Sequence, residues 1–248
     1  MADLALNNLK PIAAKIIKPF LDEVLDKYGQ KIHSIHVTGV ALTDDFDEKG
    51  LDVNSIIVLK EMDLNFLEFL APLGKKYRKK RVGAPLIMTP EYINTSLDVF
   101  PIEFLNFKLM HSTVYGEDIL ENIVIERLDL RHQCERELKS KLIWLRQGYI
   151  SSMGDKKILI EGFVQSITDY MSLFRGIIVL AGKEPPVIQS EVITALSDAV
   201  KIDAGVCAKV LKKKRDKIKL FVEELNTIFE DYYSATEKLG KIIDDIKE

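Results

Sequence analysis

The chain has 248 residues, of which 47% are hydrophobic and 29% are charged, and its formal net charge at pH 7 is −3. This composition is ordinary for a soluble globular protein, and the weak net charge gives no general reason to expect a nucleic-acid partner. No apolar run reaches the ~18 residues that a membrane span requires. The composition therefore predicts a protein that neither spans a membrane nor binds nucleic acid.

The N-terminal residues and the cysteines indicate the cellular location of the protein. Residues 1–15 contain no basic start followed by an apolar run, so they predict no signal peptide. The two cysteines, Cys134 and Cys207, are far apart and lack the spacing of metal ligands. Reduced thiols are typical of the cytosol. We therefore expect a cytoplasmic protein.

The first part of the chain alternates between helical and strand patterns. Apolar residues recur at helical spacing around Pro19, which predicts a helix that is kinked or restarts there. Short β-branched runs predict strands, and a polar segment with a glycine predicts a loop. In chain order we predict a helix over Pro11–Tyr28, a strand over Ile32–Val37, a loop over Asp44–Gly50, a strand over Ser55–Leu59 and a helix over Asp63–Leu73 that Gly74 ends.

The strand patterns continue as far as residue 122, and only helical patterns follow. We predict strands over Pro85–Thr89 and Leu97–Leu105, with Pro101 placing the second at an edge or a bulge, and a loop or short strand over His111–Asp118. Five helices with short loops should then pack as an antiparallel bundle: Glu126–Ile150, Lys156–Leu180, Val187–Val200, Gly205–Lys214 and Phe221–Ile246. The predicted fold is α+β, with a mixed-sheet domain over 1–122 and an all-α bundle domain over 123–248.

One strand–turn–loop–strand segment, from Val37 to Leu59, carries candidate chemistry. Asp52 and Asn54 stand two residues apart at the start of the second strand, so both project from one face towards the turn at Gly39. Glu103, with Asp98 as the alternative, lies on a later predicted strand. Converging hard oxygen ligands are what Mg²⁺ requires, and a glycine turn lets a phosphate approach the backbone closely.

These residues resemble the signature of the polymerase-β-like nucleotidyltransferase superfamily. The matching residues are Thr38-Gly39-Val40, then Asp52-Val53-Asn54 and the apolar run Ser55–Leu59. The stretch Val114–Asp118 and the helical second half are similar to the bacterial branch that includes the aminoglycoside nucleotidyltransferases.

The resemblance implies a Mg²⁺-dependent transfer of a nucleoside monophosphate from an NTP to a small-molecule or protein acceptor. It implies that Asp52, Asn54 and Glu103 hold metal, and that Thr38, Gly39 and Val40 lie at the phosphates. Two positions depart from the pattern, because Val40 replaces a hydroxyl residue and Asn54 replaces a carboxylate. Two functions therefore stay open, an active transferase and an inactive nucleotide-binding or regulatory protein. The oligomeric state is also open.

Other candidate residues favour structural roles. The basic run Lys75–Arg81, with Tyr77 as a stacking face, could hold a polyphosphate or RNA, but a solvated segment is the favoured interpretation. Trp144 is predicted to lie in the core seam of a helix. The four histidines share no metal-ligand spacing; His33 and His36 should face opposite sides of one strand.

Overall fold

The computed structural model of the protein describes residues 4–46, 51–153, 155–216 and 225–246. The α+β fold is confirmed: a mixed four-stranded sheet with helices precedes a helical region. The helices are α1 (Pro11–Tyr28), α2 (Leu64–Arg78), α3 (Pro90–Asn94), α4 (Pro101–Leu109), α5 (Arg127–Ser151), α6 (Lys156–Leu180), α7 (Gln189–Val200), α8 (Gly205–Arg215) and α9 (Leu225–Asp245). The strands are β1 (Ile32–Thr38), β2 (Asn54–Leu59), β3 (Leu86–Met88) and β4 (His111–Gly116).

The sheet has the strand order β3-β2-β1-β4. β1 pairs antiparallel with β2 and with β4, whereas β2 and β3 run parallel. Alternate residues of β1 face opposite sides. Ile35 and Val37 face the apolar core, together with α1 residues such as Ile17 and Phe20. Ser34, His36 and Thr38 lie on the other face, and all three are buried.

Helix α1 spans Pro11–Tyr28 as predicted, but it is one continuous helix, so the predicted restart at Pro19 was wrong and the predicted kink stays a prediction. Pro11 occupies its first turn, where the missing N–H costs nothing. The predicted loop over Asp44–Gly50 is described only as far as residue 46, since residues 47–50 lie outside the described ranges. The predicted helix over Phe221–Ile246 is confirmed over Leu225–Asp245, and residues 221–224 also lie outside those ranges.

Helix α2 begins where predicted but does not end at Gly74. The Asp63 side chain accepts from the Asn65 N–H and caps its start. The helix continues to Arg78. The basic residues in its last turn stabilise it, because positive charges interact favourably with the negative end of the helix dipole. Tyr77 in that turn is 2% exposed and donates to Glu23 at 2.6 Å. Its burial rules out the alternative in which Tyr77 offers a stacking face, whereas the lysines of the run are exposed, as the favoured interpretation of a solvated segment predicted.

The predicted strand over Leu97–Leu105 was also wrong, because this segment contains the start of helix α4. Pro101 is the first residue of α4, a position that proline favours because its N–H would have no helical partner there. Glu103 lies in the first turn, where a negative charge interacts favourably with the positive end of the helix dipole. The buried Gln133 accepts from the Ile102 N–H at 2.7 Å and so completes the helix start.

The helical region buries apolar residues from several of its helices, including Leu138, Phe174, Leu196 and Tyr232. The helical predictions for α5, α6, α7 and α8 are confirmed to within two residues at either end. Trp144 of α5, however, is 71% exposed. Its predicted place in a core seam was wrong, because the neighbouring Leu145 faces the interior instead.

The chain forms two compact units: Met1–Leu97 with Phe104–Val124, and Asp98–Glu103 with Ile125–Glu248. The predicted boundary between residues 122 and 123 stays a prediction. Across the described residues, every helix is too short or too polar to cross a membrane.

Candidate active site

The predicted phosphate-binding residues, Thr38, Gly39 and Val40, lie at the end of β1 and in the turn that follows it. Gly39 has a φ of +77°, a left-handed conformation that glycine adopts without the cost of a Cβ atom. Its N–H donates to the Met110 carbonyl at 2.9 Å. A 3₁₀ turn then runs from Gly39 to Leu42. Thr38 is buried and Val40 is half-buried, so the predicted phosphate-binding residues lie consecutively at the end of β1.

Asp52 and Asn54 project to the same side of the chain. Both are exposed, while Val53 between them is fully buried. Asn54 begins β2 and pairs with Thr38 across the sheet. The fold therefore brings the Gly39 turn and the pair Asp52 and Asn54 to one end of β1 and β2, as the sequence predicted.

Arg81 fixes the backbone beside Asp52. Its carbonyl accepts from the Val53 N–H at 2.8 Å, and its Nε donates to the Leu51 carbonyl at 2.9 Å. Arg81 itself has a φ of +67°, which is uncommon for a residue with a side chain. The guanidinium group is thus held at the Leu51 carbonyl, one residue before Asp52, and lies 5.1 Å from the centre of the Phe46 ring. The sequence prediction missed this role because Arg81 ends the basic run that was interpreted as solvated.

Gly83 lies against the Asn54 side chain. The segment 81–83 runs parallel to 51–53, since Val53 bridges Val82 and the Gly83 N–H donates to the Val53 carbonyl at 3.0 Å. A Cβ atom at position 83 would overlap with Asn54 Oδ1. The missing side chain at Gly83 therefore provides the space in which the Asn54 amide lies.

The sheet supplies no further acid next to Asn54 among its described strand residues. On β3, Leu86 pairs with Ile56 and Met88 with Val58, and these positions share the face of Asn54. Glu103 is instead an exposed residue of α4 and accepts from Gln133 Nε2 at 2.7 Å. Asp98 is exposed in the turn before α4. Both belong to the second compact unit, and their role as third carboxylate stays a prediction.

Two histidines lie on the sheet face that carries Asn54, on the side of the sheet that β4 forms. Thr38 pairs with Asn54 of β2 and with His111 of β4, so these three residues form a row across the sheet. His36 lies two residues before Thr38 and is completely buried. Burial, followed by the charge of the neighbouring His111, lowers the pKa of His36 to about 4. His36 is therefore neutral at neutral pH.

Asp118 follows β4 and contacts His111. Its carboxylate oxygens lie 2.9 and 3.1 Å from His111 Nε2. Burial raises the pKa of the Asp118 carboxyl, but hydrogen bonds from Thr113 and His111 outweigh it and leave this pKa below its ordinary value. The sequence prediction missed this group, because residues 36 and 111 become neighbours only through the pairing of β1 with β4.

The donor set at the Gly39 turn fits Mg²⁺. Asp52 offers a carboxylate and Asn54 an amide oxygen, both at the exposed end of the sheet. Mg²⁺ is commonly bound by one or two carboxylates together with substrate phosphates and water. The two side chains therefore suit a single Mg²⁺ ion that takes its remaining oxygen ligands from elsewhere. Together they carry one negative charge, which is too little to compensate the charge of two Mg²⁺ ions.

Comparison with known proteins finds a likeness in structure only. No protein-family model matches the chain, and no curated protein matches it in sequence. Among solved structures, it is similar to spectinomycin adenyltransferase AAD(9) from Enterococcus faecialis, whose crystal structure contains ATP and spectinomycin. The TM-score is 0.53 at 14% identity, over 94% of this chain and 98% of that one. The likeness shows that the chain has the fold of this adenyltransferase.

Proposed function

We propose that this protein binds a nucleoside triphosphate with Mg²⁺ at the Gly39 turn and slowly transfers the nucleoside monophosphate to a small-molecule acceptor. The observation that carries the proposal is the exposed pair Asp52 and Asn54, which flanks the buried Val53 beside that turn. A solved structure with the same fold is an adenyltransferase that contains ATP. ATP is therefore the first nucleotide to test.

Each residue of the site has a distinct role in this proposal. The Asp52 carboxylate and the Asn54 amide oxygen would hold Mg²⁺, which when bound supplies charge compensation at the transferred phosphoryl group. Gly39 lets the chain leave β1 where a side chain would hinder a phosphate. The Arg81 guanidinium, which is bound to the carbonyl of Leu51, would offset further negative charge of the triphosphate.

The expected rate is low because the site lacks negative charge. An amide at position 54 ligates Mg²⁺ through a dipole, whereas a carboxylate contributes a full charge to the attraction. The neighbouring strand adds Leu86, which is apolar and 46% exposed. This observation also favours a second candidate function, a protein that binds the nucleotide without transferring it.

Calorimetry with Mg²⁺ and each of ATP, GTP, CTP and UTP tests the binding step. We expect one nucleotide to bind in a Mg²⁺-dependent manner, and Asp52→Asn to weaken it by about tenfold or more. Glu61→Gln is the matched control, since Glu61 is exposed beyond the other end of β2. If no nucleotide binds at millimolar concentration, both candidate functions fail.

Pyrophosphate release separates the two functions once a nucleotide binds. Transfer to an added acceptor releases pyrophosphate and adds the mass of a nucleoside monophosphate to that acceptor, whereas a binding protein does neither. Glu103→Gln and Asp98→Asn test the third carboxylate. Loss of transfer in one of them, with nucleotide binding unchanged, would assign the role to that residue.

A further inference from the structure

A group of metal-ligand side chains on the sheet has no part in the proposed nucleotide site. One ligating atom each of His36, His111 and Asp118 lies within 4.8 Å of the other two. We propose that these three side chains bind a divalent transition-metal ion of the Zn²⁺ type, at a site separate from the nucleotide site. This inference goes beyond the proposed function and does not depend on it.

The hydrogen bonds of His111 require a cation next to its ring. Nδ1 lies 2.9 Å from the Phe107 carbonyl oxygen, so this nitrogen carries a proton and donates it. Nε2 lies 2.9 Å from a carboxylate oxygen of Asp118. In a neutral ring Nε2 has only a lone pair, and a lone pair cannot face a carboxylate at this distance unless a cation lies between them. That cation is either a proton or a metal ion.

His36 is oriented for the same ion. Its Nε2 lies 2.9 Å from Ser34 Oγ, and its Nδ1 lies 2.8 Å from Thr113 Oγ1. The Thr113 hydroxyl also bonds to Asp118, so the Nδ1 side of the ring is the side on which Asp118 lies. Because the Thr113 hydroxyl gives its proton to Asp118, it accepts from His36 Nδ1–H in the metal-free protein. Metal binding would move the imidazole proton to Nε2, which would then donate to Ser34, and Nδ1 would ligate the ion.

The third side chain, Asp118, is fixed and accessible. Its Oδ1 accepts from the backbone N–H groups of Leu120 and Glu121 at 3.2 and 3.1 Å. The Asp118 side chain is 34% exposed, whereas that of His111 is 9% exposed. An ion can therefore reach the buried imidazoles from the Asp118 side.

The groups around the two imidazoles and the carboxylate suit a metal ion. In each imidazole the nitrogen that would not ligate has a hydrogen-bond partner, the Phe107 carbonyl for His111 and the Ser34 hydroxyl for His36. This arrangement is typical of metal-ligating histidines, and ligating carboxylates are hydrogen-bonded in the same way. Two imidazoles and one carboxylate suit Zn²⁺ with a water in the fourth position, whereas Mg²⁺ prefers oxygen ligands.

Titration of the full-length, chelator-treated protein with ZnCl₂, without nucleotide, tests the proposal. We expect one Zn²⁺ ion per chain and no competition from excess Mg²⁺. His111→Asn keeps a donor for Phe107 but removes Nε2, and Asp118→Asn keeps the acceptor for the two N–H groups but removes the charge. Each should weaken Zn²⁺ binding more than about 100-fold, and Ser34→Ala about tenfold, by the outer-shell scale. His132→Gln, an exposed histidine of α5, is the control.

Two results would overturn the proposal. In a ¹⁵N-histidine-labelled protein, Zn²⁺ should shift the resonances of His111 Nε2 and His36 Nδ1. If His111 instead keeps protons on both nitrogens when Zn²⁺ is added, the cation beside Asp118 is a proton. If Asp52→Asn weakens Zn²⁺ binding as strongly as Asp118→Asn, the ion binds at the nucleotide site instead. Failure of nucleotide binding alone leaves both readouts unaffected.

Discussion

The amide oxygen of Asn54 lies over the Cα atom of Gly83, in the space that any larger residue at position 83 would fill. An alanine there would displace the Asn54 side chain from its present orientation. We expect Gly83→Ala to weaken Mg²⁺-dependent ATP binding by about tenfold or more, because small displacements of a ligand residue have large effects. Isothermal calorimetry measures this change.

Gly74→Ala is the matched control for this substitution. Gly74 lies inside α2, and a Cβ atom there would meet no atom within 4 Å. Replacing a helical glycine should raise the free energy of unfolding by about 0.5–1 kcal/mol and leave ATP binding unchanged. If Gly83→Ala leaves ATP binding as unchanged as Gly74→Ala does, the orientation of the Asn54 side chain does not control the site.

A carboxylate at position 54 should strengthen the site. We expect Asn54→Asp to tighten Mg²⁺·ATP binding by about tenfold, because a second negative charge next to Asp52 attracts the cation. Pyrophosphate release should rise in parallel. Unchanged affinity in this variant, measured by calorimetry at fixed ionic strength, would show that position 54 does not ligate the ion.

Gly116 and Gly182 form a natural pair for a stability measurement. Their φ angles are +75° and +77°, so alanine meets the same backbone strain, about 1–2 kcal/mol, at each. At Gly116 the added Cβ would also overlap with the His33 carbonyl and lie 2.9 Å from Ser34 Cα, whereas at Gly182 it would meet no atom within 4 Å. Urea denaturation should show a cost of at least about 3 kcal/mol for Gly116→Ala and only the strain for Gly182→Ala.

Both cysteines should be unreactive in the folded protein. Burial, reinforced by nearby acidic groups, raises the pKa of the Cys134 thiol far above its ordinary value, and burial raises the pKa of Cys207 to about 12. Since the thiolate is the reactive form, we expect no reaction with a disulfide reagent at pH 8, and two reacting thiols per chain after denaturation. Rapid labelling of the native protein would contradict the burial of these residues.

Local sequence patterns predicted much of the fold. The β-branched runs of β1 and β2 and the periodic apolar residues of α1 and α6 identify those elements, because each pattern has one preferred period. The segment around Pro101 was misassigned because a short apolar run fits a strand or a buried helix equally well. Its discriminating signal was Pro101 followed by Glu103, a residue order typical of a helix start.

The site was predictable only where its residues are neighbours in sequence. Asp52 and Asn54 are two residues apart, so the alternation of a strand predicts their shared side. Gly83 and Arg81 reach them through the parallel pairing next to β2, and His111 reaches His36 through the pairing of β4 with β1. Such contacts depend on which strands pair, and the spacing of residues along the chain does not contain that information.

The alternation of β1 constrains how the protein can fold. Ser34, His36 and Thr38 lie on one face and Ile35 and Val37 on the other. A shift of the strand by a single residue would exchange the two faces, and would place imidazole and hydroxyl groups in the apolar core. A sheet with β1 out of alignment is therefore less stable. The polar residues that border both proposed sites thus also select the native alignment of the strand.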